Sequence, residues 1–492
     1  MANTALQNLT NLVNDLQVRV AGFASFGDPL FGSINYWGGF EDLALSLQTH
    51  TGVPVILPRI GPLSTNWERA CELYCQLVNI QSTGTGYDTR ATSPATPIRV
   101  DYGQHIALPT MTPHHTKQAV VLGALPANWR WSANHPVHMI CHSQGGNTVR
   151  LLIELLSGNY ASLNPTYFNG NRQNFIRSVV TLGTFYCGTT ITDVIFNDIL
   201  RNVQVGELIP KLVVSASLNP GRFVDLQLDH WGFRPLPGPI QETFLQMYNR
   251  LRFDIRNWWM GNNNAVQDNG RAGVSRLNER FSPGVSAATY YFTMSFDATR
   301  PLPQRYVSGK DLQSFPVHPV VSGGGWLFPG PFNISANFAA TAINITRGIP
   351  GTPSDVDYAR WAVGLFNDHL RILGYQVRVP EPGGRIPRSD MLPTLSIFSV
   401  GMSGMSRSLN LPEENDGVVD TSSMRAPENA PVQNINIFNS NSIPANRGVY
   451  WDLGLTEGVD HADQIGVFTG ANTYTNVVLP IYERLGDLLS AL

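Results

Sequence analysis

The sequence predicts an α/β protein with a mostly parallel central sheet covered by helices on both faces. Two observations carry that reading. Between residues 18 and 182, short apolar runs of strand length alternate with longer segments of helical period. One of those runs, 137–141, enters a sharp glycine-bearing turn and then a helical pattern.

The elements follow in order. After an amphipathic start (Leu6, Leu9, Leu12, Val13, Leu16), residues 18–23 read as a short strand reaching Gly22. A glycine-rich turn region spans 27–39, followed by a strand at 53–57 and a helix at 67–77. The run 137–141 is a strand, 148–156 a helix and 178–182 a further strand. The middle third differs. Residues 192–217 are helical and apolar on more than one face (Val194, Ile195, Ile199, Leu200, Leu208, Ile209, Leu212, Val213), as expected of a buried helix pair or a mobile cap. Residues 301–393 form a Gly/Pro-rich stretch with Trp326, Phe328, Phe332 and Phe338, and a helix is expected at 359–373. That stretch reads as a large insertion packed on the sheet domain. An apolar strand is expected at 395–400 and a final helix at 477–489. The chain, 1–492, is therefore expected to be one domain with cap helices near 190–218 and the insertion near 301–393.

Composition narrows the function classes. A net charge of -3 and a charged fraction of 14% give no basic footprint for nucleic acid or an anionic membrane. The 45 Gly, 34 Pro and 10% aromatics describe a loop-rich chain with apolar surface to offer a greasy substrate. Cys71 and Cys75 lie one helical turn apart, and neither Cys141 nor Cys187 has an evident partner, so the cysteines read as small buried hydrophobes. The start of the chain shows no signal-peptide pattern, and no apolar run reaches transmembrane length. Sequons at Asn8, Asn333 and Asn344 fit a secreted mature form, though the compartment and the oligomeric state are left open.

The sharpest local signal is Val137-His138-Met139-Ile140-Cys141-His142-Ser143-Gln144-Gly145-Gly146. A strand that turns abruptly into a helix holds its central residue in a strained conformation, and Gly145 and Gly146 allow the two backbones to pass closely. Ser143 is then the nucleophile, exposed above the sheet at the positive end of the helix. The Gln144 amide faces the developing oxyanion. Cys141 replaces the first glycine of the G-x-S-x-G pattern. This constellation is the α/β-hydrolase fold, in which the acid and then the histidine follow the serine. Of His230, His318, His369 and His461, the last lies in a late loop, Gly458-Val459-Asp460-His461-Ala462-Asp463, where the base is expected. His369 sits in a helical pattern. Asp416, in Glu414-Asn415-Asp416-Gly417, is the first choice of acid, with Asp420 and Asp460 as alternatives; Asp460 adjoins the base and is expected to point away.

Several strings together carry a family resemblance: Gly61-Pro62-Leu63-Ser64-Thr65-Asn66-Trp67-Glu68-Arg69-Ala70-Cys71-Glu72, Tyr36-Trp37-Gly38-Gly39, Val100-Asp101-Tyr102-Gly103, His142-Ser143-Gln144-Gly145-Gly146, Leu228-Asp229-His230-Trp231-Gly232, Asn415-Asp416-Gly417 and Val459-Asp460-His461. In this order they strongly resemble the thermoalkalophilic bacterial lipases of family I.5 and the related staphylococcal lipases. Only the segment near 301–393 looks expanded against that pattern.

The resemblance implies a triacylglycerol lipase with Ser143 as nucleophile, Asp416 as acid and His461 as base. It assigns the second oxyanion amide to Phe23, where Val20-Ala21-Gly22-Phe23 carries Ala21 in place of the family's histidine. It maps a mobile lid onto 192–217. It also implies zinc held by two carboxylates and two histidines. Glu68, which replaces an aspartate, and Asp229 match the carboxylates; His105 falls near the first histidine with altered spacing, and His114 or His115 is the second. Calcium is not expected, because Phe468-Thr469 replaces the family's Asp-Pro pair and only Asp463 is left to replace its acidic ligand.

Together these readings describe hydrolysis of long-chain acylglycerol esters at a lipid interface through an acyl-enzyme. The competing readings are a phospholipase, a galactolipase or an esterase for shorter or polymeric esters. A non-catalytic lipid-binding protein of the same fold sits poorly with an intact Ser143, Asp416 and His461. A zinc hydrolase is disfavoured because four protein ligands leave no open position.

Overall fold

The computed structural model describes residues 16–20, 22, 33–80, 98–102, 114–116, 118–126, 129–194, 208–218, 225–239, 241–281, 285–303, 354–370, 383–438 and 443–492. In chain order its strands are β1 (Leu16–Val20), β2 (Val55–Leu57), β3 (Ile98–Val100), β4 (His114–Thr116), β5 (Val120–Leu122), β6 (Val137–His142), β7 (Ile176–Leu182), β8 (Tyr290–Asp297), β9 (Thr299–Pro301), β10 (Arg385–Pro387), β11 (Val432–Asn434) and β12 (Tyr450–Glu457). The centre is an 8-stranded sheet ordered β11-β12-β8-β7-β6-β1-β2-β5. Every pairing in it is parallel except β2 with β5 at one edge. The expected mostly parallel sheet is what the structure contains.

Alternation along the middle strands builds two cores. Met139 of β6 and Val179 of β7 face one side; Ile140 and Val180, one residue on, face the other. Helices α2 (Asn66–Asn79) and α3 (Gln144–Leu155) cover the first face through Leu73, Leu77, Leu152 and Leu155. Helices α1 (Leu43–Thr51) and α8 (Leu479–Ser490) cover the second through Leu43, Leu47, Tyr482 and Leu485. Cover on both faces explains why every residue of β6 is buried. Helix α2 begins at a capping box: the Thr65 side chain accepts from the Glu68 amide, and the Glu68 carboxylate accepts from the Thr65 amide.

Helix α4 (Leu208–Leu218) lies against α5 (Phe244–Met260), with Ile209, Val213 and Val214 packed among Met247, Tyr248, Leu251 and Ile255. Leu212, Leu245 and Phe253 stay exposed on this pair. Of the expected cap at 192–217, residues 195–207 lie outside the described residues. In the expected insertion, β9 and β10 form an antiparallel pair that closes with α6 (Asp355–Leu370) around Leu302, Val356, Ala359 and Ile386. The aromatics Trp326, Phe328, Phe332 and Phe338, and the three sequons, fall outside the described residues, as does His318. No helix among the described residues is long and apolar enough to cross a membrane.

Four sequence expectations are corrected. The first strand is Leu16–Val20, two residues earlier than expected. Residues 395–400 are not a strand but part of helix α7 (Pro393–Ser408). Its buried face is built largely from Ser396, Ser399, Ser403 and Ser406 at helical spacing, so a count of apolar residues misses the period. Strands β8 and β12 were not anticipated; in β12, Asp452, Gly454 and Glu457 interrupt the apolar pattern. Cys71, Cys75 and Cys141 are buried free thiols as expected, but Cys187 is exposed. It sits in the turn after β7, where Phe185 and Tyr186 take the buried side.

Candidate active site

The turn from β6 to α3 places Ser143 at φ 56° and ψ -126°, in the left-handed half of the backbone map. Several contacts hold this strained residue. Its amide donates to the Leu182 carbonyl at 3.0 Å, and its own carbonyl accepts from Thr184 Oγ1 at 2.8 Å. Gly146 is required here, since a Cβ on it would stand 2.4 Å from Thr184 Oγ1. Gly22, just beyond β1, is required equally: a Cβ there would stand 2.6 Å from the Ser143 Cβ. This close approach explains why Ser143 is buried at 2% exposure rather than exposed as the sequence suggested. Gln144 is the first residue of α3, where helical geometry leaves the amide without an intrahelical acceptor. Its side chain donates to the Ser64 carbonyl. Phe23, the other expected oxyanion donor, lies outside the described residues.

Asp416 and His461 come together from segments far apart in sequence. Asp416 Oδ2 lies 2.7 Å from His461 Nδ1. The same oxygen accepts from Gln464 Nε2 at 2.6 Å, while Oδ1 accepts from the Val418 and Val419 amides at 2.9 and 2.7 Å. All four lone-pair positions of the buried carboxylate are thus used. The Asn-Asp-Gly string makes this local geometry. Gly417 has φ 92°, and a Cβ on it would meet Leu395 Cβ at 2.7 Å. Asn415 accepts from the Gly417 amide and donates to Ser403 Oγ of α7. The His461 amide donates to the Asp416 carbonyl at 3.0 Å, a second tie between the two loops.

The alternatives for the acid have other partners. Asp420 accepts from the Thr190 amide, Thr190 Oγ1 and Ser406 Oγ, and burial pushes its carboxyl up to about 6. Asp460 points away from the imidazole, as expected: it accepts from the amides of Leu392, Ala462 and Asp463 and so shapes the histidine loop. His369 lies in α6, and its side chain is outside the described residues.

Three residues in this cluster were not singled out from the sequence. Tyr36 OH lies 2.8 Å from His142 Nδ1 and accepts from the Gly22 amide at 2.9 Å. The His142 ring stands 4.3 Å from that of His461, centroid to centroid. Burial, with the nearby His461, holds His142 well below the usual imidazole range, so this ring is neutral. Arg69 reaches the Gly22 and Gly61 carbonyls and Thr148 Oγ1 from α2. Tyr36 and Arg69 stand in the quoted strings, but nothing in the sequence signals the buried amide of Gln464.

Of the expected metal ligands, Glu68 has His230 Nε2 at 2.5 Å from its Oε1. The same oxygen accepts from Trp231 Nε1 at 2.8 Å, and Oε2 accepts from the Thr65 amide and Thr65 Oγ1. With four protein hydrogens on it, Glu68 does not fit a ligand role, which needs an unoccupied lone pair directed at the ion. His105 and the side chains of His114 and His115 lie outside the described residues. At the position considered for calcium, Thr469 Oγ1 donates to Asp463 at 2.8 Å.

Comparison with known proteins bears on this geometry. A family model described as "Lipase-like, C-terminal domain" matches residues 14–315, more than half of the chain. The lipase of Staphylococcus hyicus is 28% identical over 304 residues, covering 59% of this chain and 42% of that protein. Lipase 1 of Staphylococcus aureus is 27% identical over 290 residues, covering 56% and 37%. The chain thus spans about two fifths of the length of the curated relatives it matches. Among solved structures, that of Staphylococcus hyicus lipase superposes with a TM-score of 0.61 at 20% identity, covering 97% of this chain and 95% of the other. Lipase 1 from Pelosinus fermentans does so with a TM-score of 0.54 at 22% identity, covering 97% and 99%. These likenesses are to lipases of α/β-hydrolase type, and the fold here is of that class.

Proposed function

The chain belongs to the lipase-like C-terminal domain family, and from that premise we propose that it is a lipase hydrolysing long-chain acylglycerol esters by serine chemistry. The observation that carries the reading is the fully satisfied Asp416 carboxylate holding His461 beside the strained Ser143 turn. Asp416 keeps the Nδ1 proton of His461 in place, which leaves Nε2 as the base. His461 takes the Ser143 hydroxyl proton as the oxygen attacks the ester carbonyl. The Gln144 amide, with the Phe23 amide that the family pattern supplies, binds the oxyanion; one such donor contributes about 3 kcal/mol to the barrier. His461 then protonates the leaving alcohol and activates the water that frees the fatty acid. Relatives named as lipases support the substrate class. Zinc is not part of this proposal, because Glu68 is committed to protein hydrogens.

The exposed Leu212, Leu245 and Phe253 on α4 and α5 suit a cap that meets a lipid surface. The test is a series of esters from acetyl to long acyl chains, below and above their solubility limits, with Ser143→Ala as control. A rise in rate on long chains once an interface forms is expected, with no turnover by the variant. Turnover of short dissolved esters alone would replace the lipase reading with an esterase, and full activity in Ser143→Ala would remove the serine mechanism.

A further inference from the structure

The geometry points to Gln464 as a positioning residue that fixes the Asp416 carboxylate and, through it, the His461 imidazole. The inference rests on the serine mechanism proposed above. Gln464 is buried, and its amide NH2 is the group that faces Asp416, since a carboxylate only accepts; the distance is 2.6 Å. Tyr482 OH donates to the main-chain carbonyl of Gln464 at 2.9 Å and fixes its backbone, and Gly183, at φ 57°, leaves room for the side-chain amide. A Cβ on Gly183 would stand 2.2 Å from Gln464 Oε1.

The donor directions run one way along the chain of contacts. The Gly22 amide donates to Tyr36 Oη, which therefore gives its own proton to His142 Nδ1. Burial raises the Tyr36 hydroxyl well above its ordinary value, so that proton stays in place. Neutral His142 then carries its hydrogen on Nε2. Gln464 donates to Asp416 through Nε2 and so fills the last acceptor position of that carboxylate, whose other positions take His461 and the Val418 and Val419 amides. A buried carboxylate with every hydrogen-bonding position filled is held rigidly, and with it the imidazole it orients. The titratable groups around the cluster are His142, Tyr36, Asp420, and Asp460 and Asp463 beside His461.

The test compares Gln464→Leu and Gln464→Glu with the wild type by kinetics across pH and by the downfield NMR resonance of the Nδ1 proton between His461 and Asp416. In Gln464→Leu the carboxylate loses one donor and draws harder on the imidazolium. Expected are a downfield move of that resonance, an acid limb of the rate profile displaced to higher pH, and a fall of roughly 10-fold in kcat with KM retained, the size of one hydrogen bond to a charged group. Gln464→Glu keeps the shape. It is expected to work at low pH, where the carboxyl donates, and to lose activity once ionised beside Asp416. An unchanged resonance and unchanged pH profiles in both folded variants would overturn the role of Gln464. The NMR readout needs no turnover, so it decides this point even where full activity in Ser143→Ala has removed the serine mechanism itself.

Discussion

Two buried carboxylate–imidazole pairs stand among the described residues, and they are built alike. Asp416 with His461 closes at 2.7 Å and Glu68 with His230 at 2.5 Å. Each carboxylate accepts four protein hydrogens, two of them from groups close to it in sequence. What differs is the far side of the ring. His461 retains 9% exposure and lies in the loop beside the nucleophile turn, whereas His230 is at 1% and packs on Tyr102 with ring centroids 4.7 Å apart. The pairing orients an imidazole in both cases; the His461 ring also stands 4.3 Å from that of His142, the residue before Ser143. Where the far side is packed shut, the same pair is a clasp joining the start of α2 to the 225–239 segment.

Removing an imidazole should separate the two roles most sharply. His461→Ala is expected to lower kcat by about 10⁴-fold with the fold intact, whereas His230→Asn should retain kcat per folded molecule. Single-turnover acylation rates on both variants check this. The second effect runs the other way. Glu68→Ala leaves a buried imidazole unpaired and should cost about 3–5 kcal/mol in denaturant unfolding. Its active fraction, titrated with an irreversible serine reagent, should turn over normally.

A third imidazole sharpens the comparison because it bonds a hydroxyl. His138 bonds Ser178 Oγ at 2.7 Å, and burial lowers it to about 3. The folded ring stays neutral, while the unfolded chain takes up a proton below about pH 6.5. The unfolded state therefore binds more protons as pH falls, so this contribution is present above pH 6.5 and is lost below it, by up to about 1.4 kcal/mol per pH unit. His138→Gln should flatten that acid slope. Its melting curve is compared with the wild type at each pH, because buried Asp268, raised to about 7, and Asp420, raised to about 6, act in the opposite sense. The smallest effect is expected from metal: with Glu68 committed to His230, Trp231 and Thr65, zinc addition or chelation should leave the melting temperature unmoved. A chelator-induced fall with one zinc per chain would contradict the clasp.

The strained Ser143 turn and the loops that carry Asp416 and His461 were legible because each is written in a few contiguous residues whose turn chemistry is local. Gly146 and Gly417 are demanded by close backbone approaches that short strings encode. The Glu68 pair was not legible in the same way. That His230 meets Glu68 depends on the turn at Asp229–Trp231 and on the packing of Tyr102, both set by distant residues. Helix α7 was read as a strand because its buried face is serine, satisfied by Pro393, Glu413 and Asp420 rather than by apolar contact. Gln464 left no trace because its partner, Asp416, lies 48 residues away in sequence.

The most direct measurement is covalent labelling by a fluorophosphonate, with the modified residue located by mass spectrometry and its rate followed in wild type, His461→Ala and His230→Asn. The account predicts one label per chain on Ser143, formed at the wild-type rate in His230→Asn and lost in His461→Ala. A label elsewhere, or equal rates in both histidine variants, would contradict it.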